Sequence, residues 1–352
     1  MESLIRDWDG ETVIARYDRE AGAWMLIAIH STRLGAAAGG TRMKSYPDVE
    51  AALRDAMRLA EGMTDKFAVA GLPRGGGKAV LAAPPDLSTA ARAALLRRYG
   101  RLIAQLGGYF QTGPDVGTSA ADMDIIAETG APHVFARTPA AGGAGDSGPA
   151  TAIGVYAALR VTCERLFGDA DLAGRRVLVQ GVGSVGSELV ERLRAAGASV
   201  LFSDVDEMVV HRLRDEAGLE QVAPEAVYDA DCDIFAPCAL GAVLSEETIP
   251  RLRCRAVVGS ANNQLAAPED ADRLHERGVL YAPDFVVNFG GAMATLGIET
   301  MGWSRAEADE RVARSIQDAL RQVYALADAE DISTTEAARW IADARLERAR
   351  IV

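Results

Sequence analysis

Arg176-Val177-Leu178-Val179-Gln180 runs directly into Gly181-Val182-Gly183-Ser184-Val185-Gly186. The first five residues form an apolar run of the kind buried on both faces of a parallel sheet. The next six are G-x-G-x-x-G, and Leu189, Val190 and Leu193 follow at helical spacing. With 35 glycines in 352 residues the motif alone carries little weight. Placed between a strand and a helix, it predicts the turn that receives a dinucleotide pyrophosphate. Gly181 allows the tight turn, Gly183 lets the backbone approach the pyrophosphate, and Gly186 lets helix and strand pack closely. The helix start adds amide donors and partial positive charge. The following strand, Val200-Leu201-Phe202-Ser203, ends at Asp204. An acid about 20 residues after the turn accepts hydrogen bonds from the ribose and repels a 2′-phosphate, so NAD is expected over NADP.

Outward from this unit, a helix is expected over 150–167. Further strands are expected at 199–202, 233–236, 256–259 and 279–281. Helical pattern separates them, which makes a doubly wound sheet. Two capping boxes, Ser304-x-x-Glu307 and Ser333-x-x-Glu336, open two C-terminal helices. Upstream, Gly142-Gly143-Ala144-Gly145-Asp146-Ser147-Gly148 marks a hinge or a loop against a ligand. The chain before it also alternates. Strands are expected at 24–30, 78–82 and 109–111, and helices at 48–63, 88–105 and 119–128. The whole is an α/β protein of two domains.

The first half holds the reactive side chains. Gly75-Gly76-Gly77 precedes Lys78, and three glycines are justified where a backbone lies against a ligand. This is no P-loop, since Ala79 follows the lysine. Lys66 lies twelve residues earlier. Two lysines facing one cleft depress each other's pKa. One then acts as a base near neutral pH while the other binds a carboxylate. Asp115 follows a strand in Thr112-Gly113-Pro114-Asp115-Val116-Gly117-Thr118. It reads either as a helix N-cap or, beside two lysines, as a proton shuttle to an amine.

Composition narrows the partners. The net charge of −13 offers no basic face for nucleic acid or an anionic membrane. No apolar run is long enough to span a bilayer, and the N-terminus has no signal-peptide pattern. The four cysteines, Cys163, Cys232, Cys238 and Cys254, lack metal spacing and read as reduced thiols. A cytoplasmic protein without bound metal is expected.

Taken together, these pieces resemble the leucine, phenylalanine and valine dehydrogenases of the wider glutamate dehydrogenase superfamily. The likeness runs through Ile27–His30, Gly39-Gly40-Thr41-Arg42-Met43, Gly71-Leu72-Pro73 with Gly75–Lys78, and Pro114–Thr118 with Ala121–Asp124. It continues through Gly181–Gly186, Cys232–Ala239, Ala261-Asn262-Asn263 and Tyr281–Phe285. It implies NAD-dependent, reversible oxidative deamination of an L-amino acid with an apolar side chain, giving a 2-oxo acid, ammonia and NADH. Lys66 matches the lysine that holds the substrate α-carboxylate, with the Gly39–Gly40 backbone beside it. Lys78 matches the catalytic lysine that activates water, and Asp115 the residue that passes protons to and from the amine. The cofactor set is Gly181, Gly183, Ser184, Val185, Gly186, Asp204, Thr151, Ala236 and Asn262.

The resemblance also implies a substrate-binding and oligomerisation domain over 1–138, joined by a C-terminal helix at 332–352. A Rossmann-type NAD domain over 139–331 lies across a cleft from it. A homo-oligomer is expected. The side-chain pocket positions read Ala38, Gly113, Ala292 and Thr295, smaller than in leucine-type enzymes, which leans towards a bulky side chain such as an aromatic one. Ala38 replaces the lysine that would pair a glutamate side chain. Arg74 and Phe289 depart from the pattern. Two other readings remain: a malic-enzyme-like lysine-based dehydrogenase, which would not need ammonia, and a regulatory module that binds NAD without turnover.

Overall fold

The computed structural model describes residues 2–349. The chain divides into two compact units. Unit 1 is Met1–Asp146 with Thr295–Ser304 and Ala342–Val352, and unit 2 is Ser147–Ala294 with Arg305–Ile341. The expected break at 138/139 lies eight residues later. The reason is a buried carboxylate: Glu299 accepts the amides of Ala136 and Ala144, both at 2.8 Å. Those bonds keep residues 136–144 with unit 1. The last three residues of the expected 332–352 helix lie outside the described residues.

Unit 1 begins with α1 (Glu2–Arg6) and carries a five-stranded sheet. Its strands are β1 (Thr12–Asp18), β2 (Ala23–Ser31), β3 (Ala37–Lys44), β4 (Gly75–Ala82) and β5 (Phe110–Pro114), in the order β1-β2-β4-β3-β5. β1, β2 and β4 pair antiparallel, while β3 runs parallel to both β4 and β5. α2 (Val49–Ala70) follows β3 in the chain, and α3 (Thr89–Gln105) and α4 (Ala120–Gly130) flank β5 in the chain. α2 packs Ala52, Leu53, Ala56, Met57 and Ala60 against Leu26, Ala28 and Val80. On the other face Leu95, Tyr99 and Ile103 of α3 and Met123 of α4 cover Ile27, Ile29 and Leu81. The alternation of strand side chains between two apolar layers explains why Ala23–Ile29 of β2 and Ala79–Ala82 of β4 read as unbroken apolar runs.

Unit 2 is a six-stranded parallel sheet. Its strands are β6 (Arg176–Gln180), β7 (Ser199–Ser203), β8 (Glu220–Gln221), β9 (Ile234–Pro237), β10 (Ala256–Val257) and β11 (Leu280–Tyr281). The order is β11-β10-β9-β6-β7-β8, so the chain reverses direction across the sheet at β6. Its helices are α5 (Gly148–Phe167), α6 (Ser184–Ala195), α7 (Glu207–His211), α8 (Asp270–Glu276), α9 (Asp284–Val287) and α11 (Arg305–Glu330). α10 (Gly290–Met301) and α12 (Thr334–Arg348) each contribute residues to both units. Ligands of such sheets bind beyond the strand ends at the reversal point, which here is the carboxyl end of β6. Among the described residues no helix is long and apolar enough to cross a membrane, and all four cysteines are free thiols.

Candidate active site

Lys78 lies in the middle of β4 with only 5% of its surface exposed. Its Nζ is 3.1 Å from Asp115 Oδ1. Arg42 on β3 donates from Nε to Asp115 Oδ2 at 2.7 Å and from Nη1 to Asp55 Oδ2 at 3.0 Å. Tyr46 donates its hydroxyl to the same Asp55 oxygen at 2.7 Å. Asp115 sits in a turn tied to β3: its amide donates to Thr118 Oγ1, which donates in turn to the Thr41 carbonyl. Burial pushes the Lys78 ammonium below its ordinary value; Asp115 opposes that and Arg42 adds to it. Burial alone would raise the Asp115 carboxyl, but Lys78 and Arg42 outweigh it and hold the carboxyl below the ordinary range. The result is a fixed carboxylate against an amine whose charged form is disfavoured.

Lys66 was expected in a segment after a helix ending at 63. α2 instead continues to Ala70, because Phe67, Ala68 and Val69 are buried, and it stops at Gly71 in the left-handed conformation, φ 66°. Lys66 therefore projects from a helix. Met63, one turn before it on the same side, lies 3.5 Å from where a side chain on Gly39 would begin. Lys66 is half-buried on that helix.

The triple glycine has a different reason from the one expected. Gly75, Gly76 and Gly77 are not a ligand-facing loop but the buried start of β4. A Cβ on Gly75 would lie 2.1 Å from the Ser31 carbonyl, and one on Gly76 2.1 Å from Thr64 Oγ1 of α2. One on Gly77 would lie 2.9 Å from the Phe110 ring. The glycines let α2 and the neighbouring strands close on β4, and Lys78 follows at the next inward position.

The pocket positions are less open than their small side chains suggest. Ala38 is fully buried on β3. A side chain on Gly113 would meet the Phe135 ring at 2.4 Å, so the room left by that glycine is filled. Ala292 and Thr295 lie on α10, Ala292 half-buried and Thr295 buried. Arg74, unexplained by sequence, donates to Thr300 Oγ1 at 3.0 Å and so fastens the entry to β4 to the end of α10. Phe289 is fully buried and serves as core.

In unit 2 two glycines of the motif, Gly181 and Gly186, have a steric reason within the chain. Gly181 has φ 87°, and a Cβ there would strike Ala239 at 2.5 Å. Gly186 approaches the Gly181 carbonyl so closely that a Cβ would sit 2.0 Å from it. Nothing lies within 4 Å of the Cβ position of Gly183, the N-cap of α6. An open, side-chain-free approach to a helix N-terminus fits a pyrophosphate. Ser184 and Val185 begin that helix. Asp204 has a second duty that sequence did not reveal: Oδ2 accepts the Val182 amide at 2.6 Å and Oδ1 the Asp206 amide at 2.9 Å. It thus holds the glycine turn while keeping lone pairs for a ribose. Thr151 donates to the Ser147 carbonyl at 2.9 Å in the first turn of α5. The Asn262 side-chain oxygen accepts from Asn288 Nδ2 at 2.9 Å. Ala236 is different: it is fully buried within β9, so its side chain is sheet core and offers no surface to a ligand.

Lys78, Asp115, Gly39, Gly40 and Lys66 thus belong to unit 1, and the glycine turn, Asp204, Thr151 and Asn262 to unit 2. Arg42, Asp55 and Tyr46 were not anticipated as site residues. Arg42 entered the sequence reading only within the Gly39–Met43 stretch that carries the resemblance, and no pattern marked Asp55 or Tyr46.

Sequence profiles of two family regions match the chain. The region described as Glu/Leu/Phe/Val dehydrogenase, dimerisation domain, matches residues 19–131. The region described as Glutamate/Leucine/Phenylalanine/Valine dehydrogenase matches 142–220 and 202–352. A leucine dehydrogenase of Geobacillus stearothermophilus is 42% identical over 346 residues, covering 98% of this chain and 93% of that protein. A valine dehydrogenase of Streptomyces albus is 42% identical over 347 residues, covering 97% and 93%. Among solved structures, L-tryptophan dehydrogenase from Nostoc punctiforme superposes with TM-score 0.87 at 34% identity, covering 100% of both chains. A hetero-hexameric glutamate dehydrogenase from Thermus thermophilus, in its Leu-bound form, superposes with TM-score 0.78 at 26% identity, covering 96% of this chain and 88% of that one.

Proposed function

This chain belongs to the glutamate/leucine/phenylalanine/valine dehydrogenase family, and on that premise we propose that it is an NAD-dependent dehydrogenase that reversibly deaminates an L-amino acid with an apolar side chain to its 2-oxo acid and ammonia. The observation that carries the reading is the buried Lys78 in contact with Asp115 at 3.1 Å. A module that only binds NAD needs no such pair, whereas desolvated lysines held against a carboxylate cluster at catalytic sites.

The residues divide the work. Lys66 holds the substrate α-carboxylate, with the Gly39 and Gly40 backbone beside it. NAD, when bound, supplies the acceptor for the hydride leaving the amino-acid Cα. Lys78, as the neutral amine, takes a proton from the water that adds to the imine carbon. Asp115 relays that proton from Lys78 to the nitrogen, and Lys78, neutral again, takes the hydroxyl proton as the carbonyl forms and ammonia leaves. The pyrophosphate belongs on Gly181, Gly183 and Gly186, the ribose on Asp204, and the nicotinamide end beside Thr151 and Asn262. With an apolar side chain as substrate, Ala38 offers no cation to a second carboxylate. The family description of 19–131 as a dimerisation domain and the hexameric neighbour support an oligomer, and we take it to be built from copies of this chain. The free thiols suit the reducing cytoplasm.

The test is a panel of 2-oxo acids with NADH, each with and without ammonium. Oxidation of NADH that requires ammonium and an apolar 2-oxo acid is expected. Turnover without ammonium would favour a malic-enzyme-like reaction instead.

Two substitutions examine the binding roles. Lys66→Ala removes a charge-assisted bond worth about 1.5–3 kcal/mol. KM for the amino acid should rise about 10- to 100-fold, at about 1.4 kcal/mol per decade, with a smaller change in kcat. An unchanged KM would remove Lys66 from the carboxylate. Asp204→Ser lifts the repulsion of a 2′-phosphate but adds no cation for it. It also loosens the Val182 amide from its carboxylate. NAD efficiency should fall and the NAD/NADP ratio of kcat/KM should narrow without inverting. A parent that prefers NADP would place Asp204 away from the ribose.

A further inference from the structure

β3 fixes the backbone of Asp115 but not its carboxylate. A Cβ on Gly40 of β3 would lie 2.8 Å from Asp115 Cβ, so the turn rests directly on the strand. The Asp115 amide donates to Thr118 Oγ1 at 2.9 Å. The Met43 amide of β3 donates to the Val116 carbonyl, also at 2.9 Å. These bonds set where the Asp115 side chain begins and leave its carboxylate to rotate. Arg42 takes up that freedom. Its Nε donates to Oδ2 at 2.7 Å, and the other oxygen, Oδ1, lies 3.1 Å from Lys78 Nζ.

Arg42 is itself held. It is level with Val80 of β4, so by strand alternation it shares the sheet face of Lys78, two residues before Val80. α2 covers that face and carries Asp55, which accepts from Arg42 Nη1 at 3.0 Å. Asp55 is anchored in turn by the Tyr46 hydroxyl at 2.7 Å and by Arg58 Nη2 at 2.9 Å. The side chains of Arg42 and Asp55 are each 15% exposed. A planar guanidinium bridges two carboxylates in fixed directions, and a lysine ammonium on its flexible stem lacks that fork.

We propose that Arg42 is a positioning residue for the reaction: held by Asp55, it pins one oxygen of Asp115 so that the other is presented to Lys78. The inference rests on the deamination reading, in which Asp115 relays protons between Lys78 and the nitrogen. The fixed charge of Arg42 has a second effect. The charges that bear on Lys78 are Asp115 from the turn after β5, Arg42 from β3 and Asp55 from α2. Around Asp55 stand Arg58 and Tyr46, with Lys44 over the Tyr46 ring at 4.6 Å. Lys66 lies further along α2, where His30 of β2 meets Thr64 at 2.9 Å. Burial is the larger cause that lowers the Lys78 pKa; the two carboxylates oppose it and Arg42 adds to it. Removing the Arg42 charge takes away a repulsion and leaves both carboxylates less neutralised. Each change favours the ammonium, so the Lys78 pKa rises. That sign is opposite to the effect of Asp115→Asn.

The chain has three lysines, Lys44, Lys66 and Lys78, so Lys78 can be titrated directly. Full-length protein carrying ¹³C at lysine Cε is followed by NMR across pH, and the signal missing from Lys78→Ala is that of Lys78. In Arg42→Gln its midpoint should rise by about one pH unit, and the ascending limb of deamination should move up with it. kcat should fall about 10- to 100-fold, as a misplaced group costs. Arg42→Lys, whose extra signal is absent from the parent spectrum, keeps the charge and loses the fork. Its Lys78 midpoint should return towards that of the parent while kcat stays about tenfold below it. A purely structural role would lower the melting temperature or kcat and leave the Lys78 midpoint in place. An unmoved or lower midpoint in folded Arg42→Gln overturns the proposal, and so does Arg42→Lys with kcat within about twofold of the parent. Thermal melts show which variants fold, and if the glutamine variant does not, the lysine variant decides. An active parent beside either contrary result overturns this inference alone. A parent without ammonium-dependent turnover of any 2-oxo acid overturns the deamination reading and the inference together.

Discussion

Lys78→Ala should lower kcat by about 10²- to 10⁴-fold, the usual contribution of a positioned acid–base group, and leave cofactor binding close to that of the parent. The fold should survive, because Asp115 keeps its bond to Arg42 and alanine is at home among the small residues of β4. The loss should fall on kcat and kcat/KM alike, as expected for an interaction made in the transition state. In the parent, deamination should rise with pH as Lys78 loses its proton. The midpoint should lie below ~10.4, the ordinary lysine value, because burial disfavours the ammonium. Steady-state rates across pH with bound-cofactor fluorescence as a control make the measurement. An alanine variant within twofold of the parent would end the assignment.

Asp115→Asn should be nearly as damaging, for two separable reasons. It removes the group that passes protons to the nitrogen. It also leaves the buried cations Lys78 and Arg42 without their shared anion. Breaking a buried ion pair costs about 3–5 kcal/mol, and the amide oxygen can recover part of that. The sign of the pH effect is fixed. The Asp115 carboxylate favours the charged form of Lys78, so its loss lowers the Lys78 pKa further. The ascending limb of deamination should move to lower pH while its plateau falls. A limb that stays in place, or moves up, would mean that Lys78 is not the group being titrated.

The glycine turn was legible because Gly181 and Gly186 answer separate steric demands, Gly183 leaves the helix start open, and the flanking strand and helix are strongly patterned. Lys78 and Asp115 were legible from the unusual segments around them, though the triple glycine turned out to serve packing against Thr64, Ser31 and Phe110. β3 was not legible. Ala37-Ala38-Gly39-Gly40 lacks the branched and aromatic residues that mark strands, and its extended state comes from pairing with β4 and β5 on both sides. Arg42 was hidden for the same reason, since its importance lies in Asp115 and Asp55, 73 and 13 residues away. The end of α2 was missed because the Ala, Leu and Met spacing was followed only to Met63, whereas burial of Phe67 and Ala68 carries the helix onward. The link from Glu299 to Ala136 spans 163 residues, and local pattern holds no trace of it.

The central claim is that this protein forms and breaks a carbon–nitrogen bond at the substrate Cα. ¹⁵N-labelled ammonium, NADH and 4-methyl-2-oxopentanoate, incubated with the enzyme and followed by mass spectrometry and absorbance together, test it directly. The expected result is an L-amino acid carrying the label, formed in equal amount to the NADH oxidised, and abolished in Lys78→Ala. NADH oxidation that yields an unlabelled hydroxy acid, or labelled amino acid at the same rate without Lys78, would contradict it.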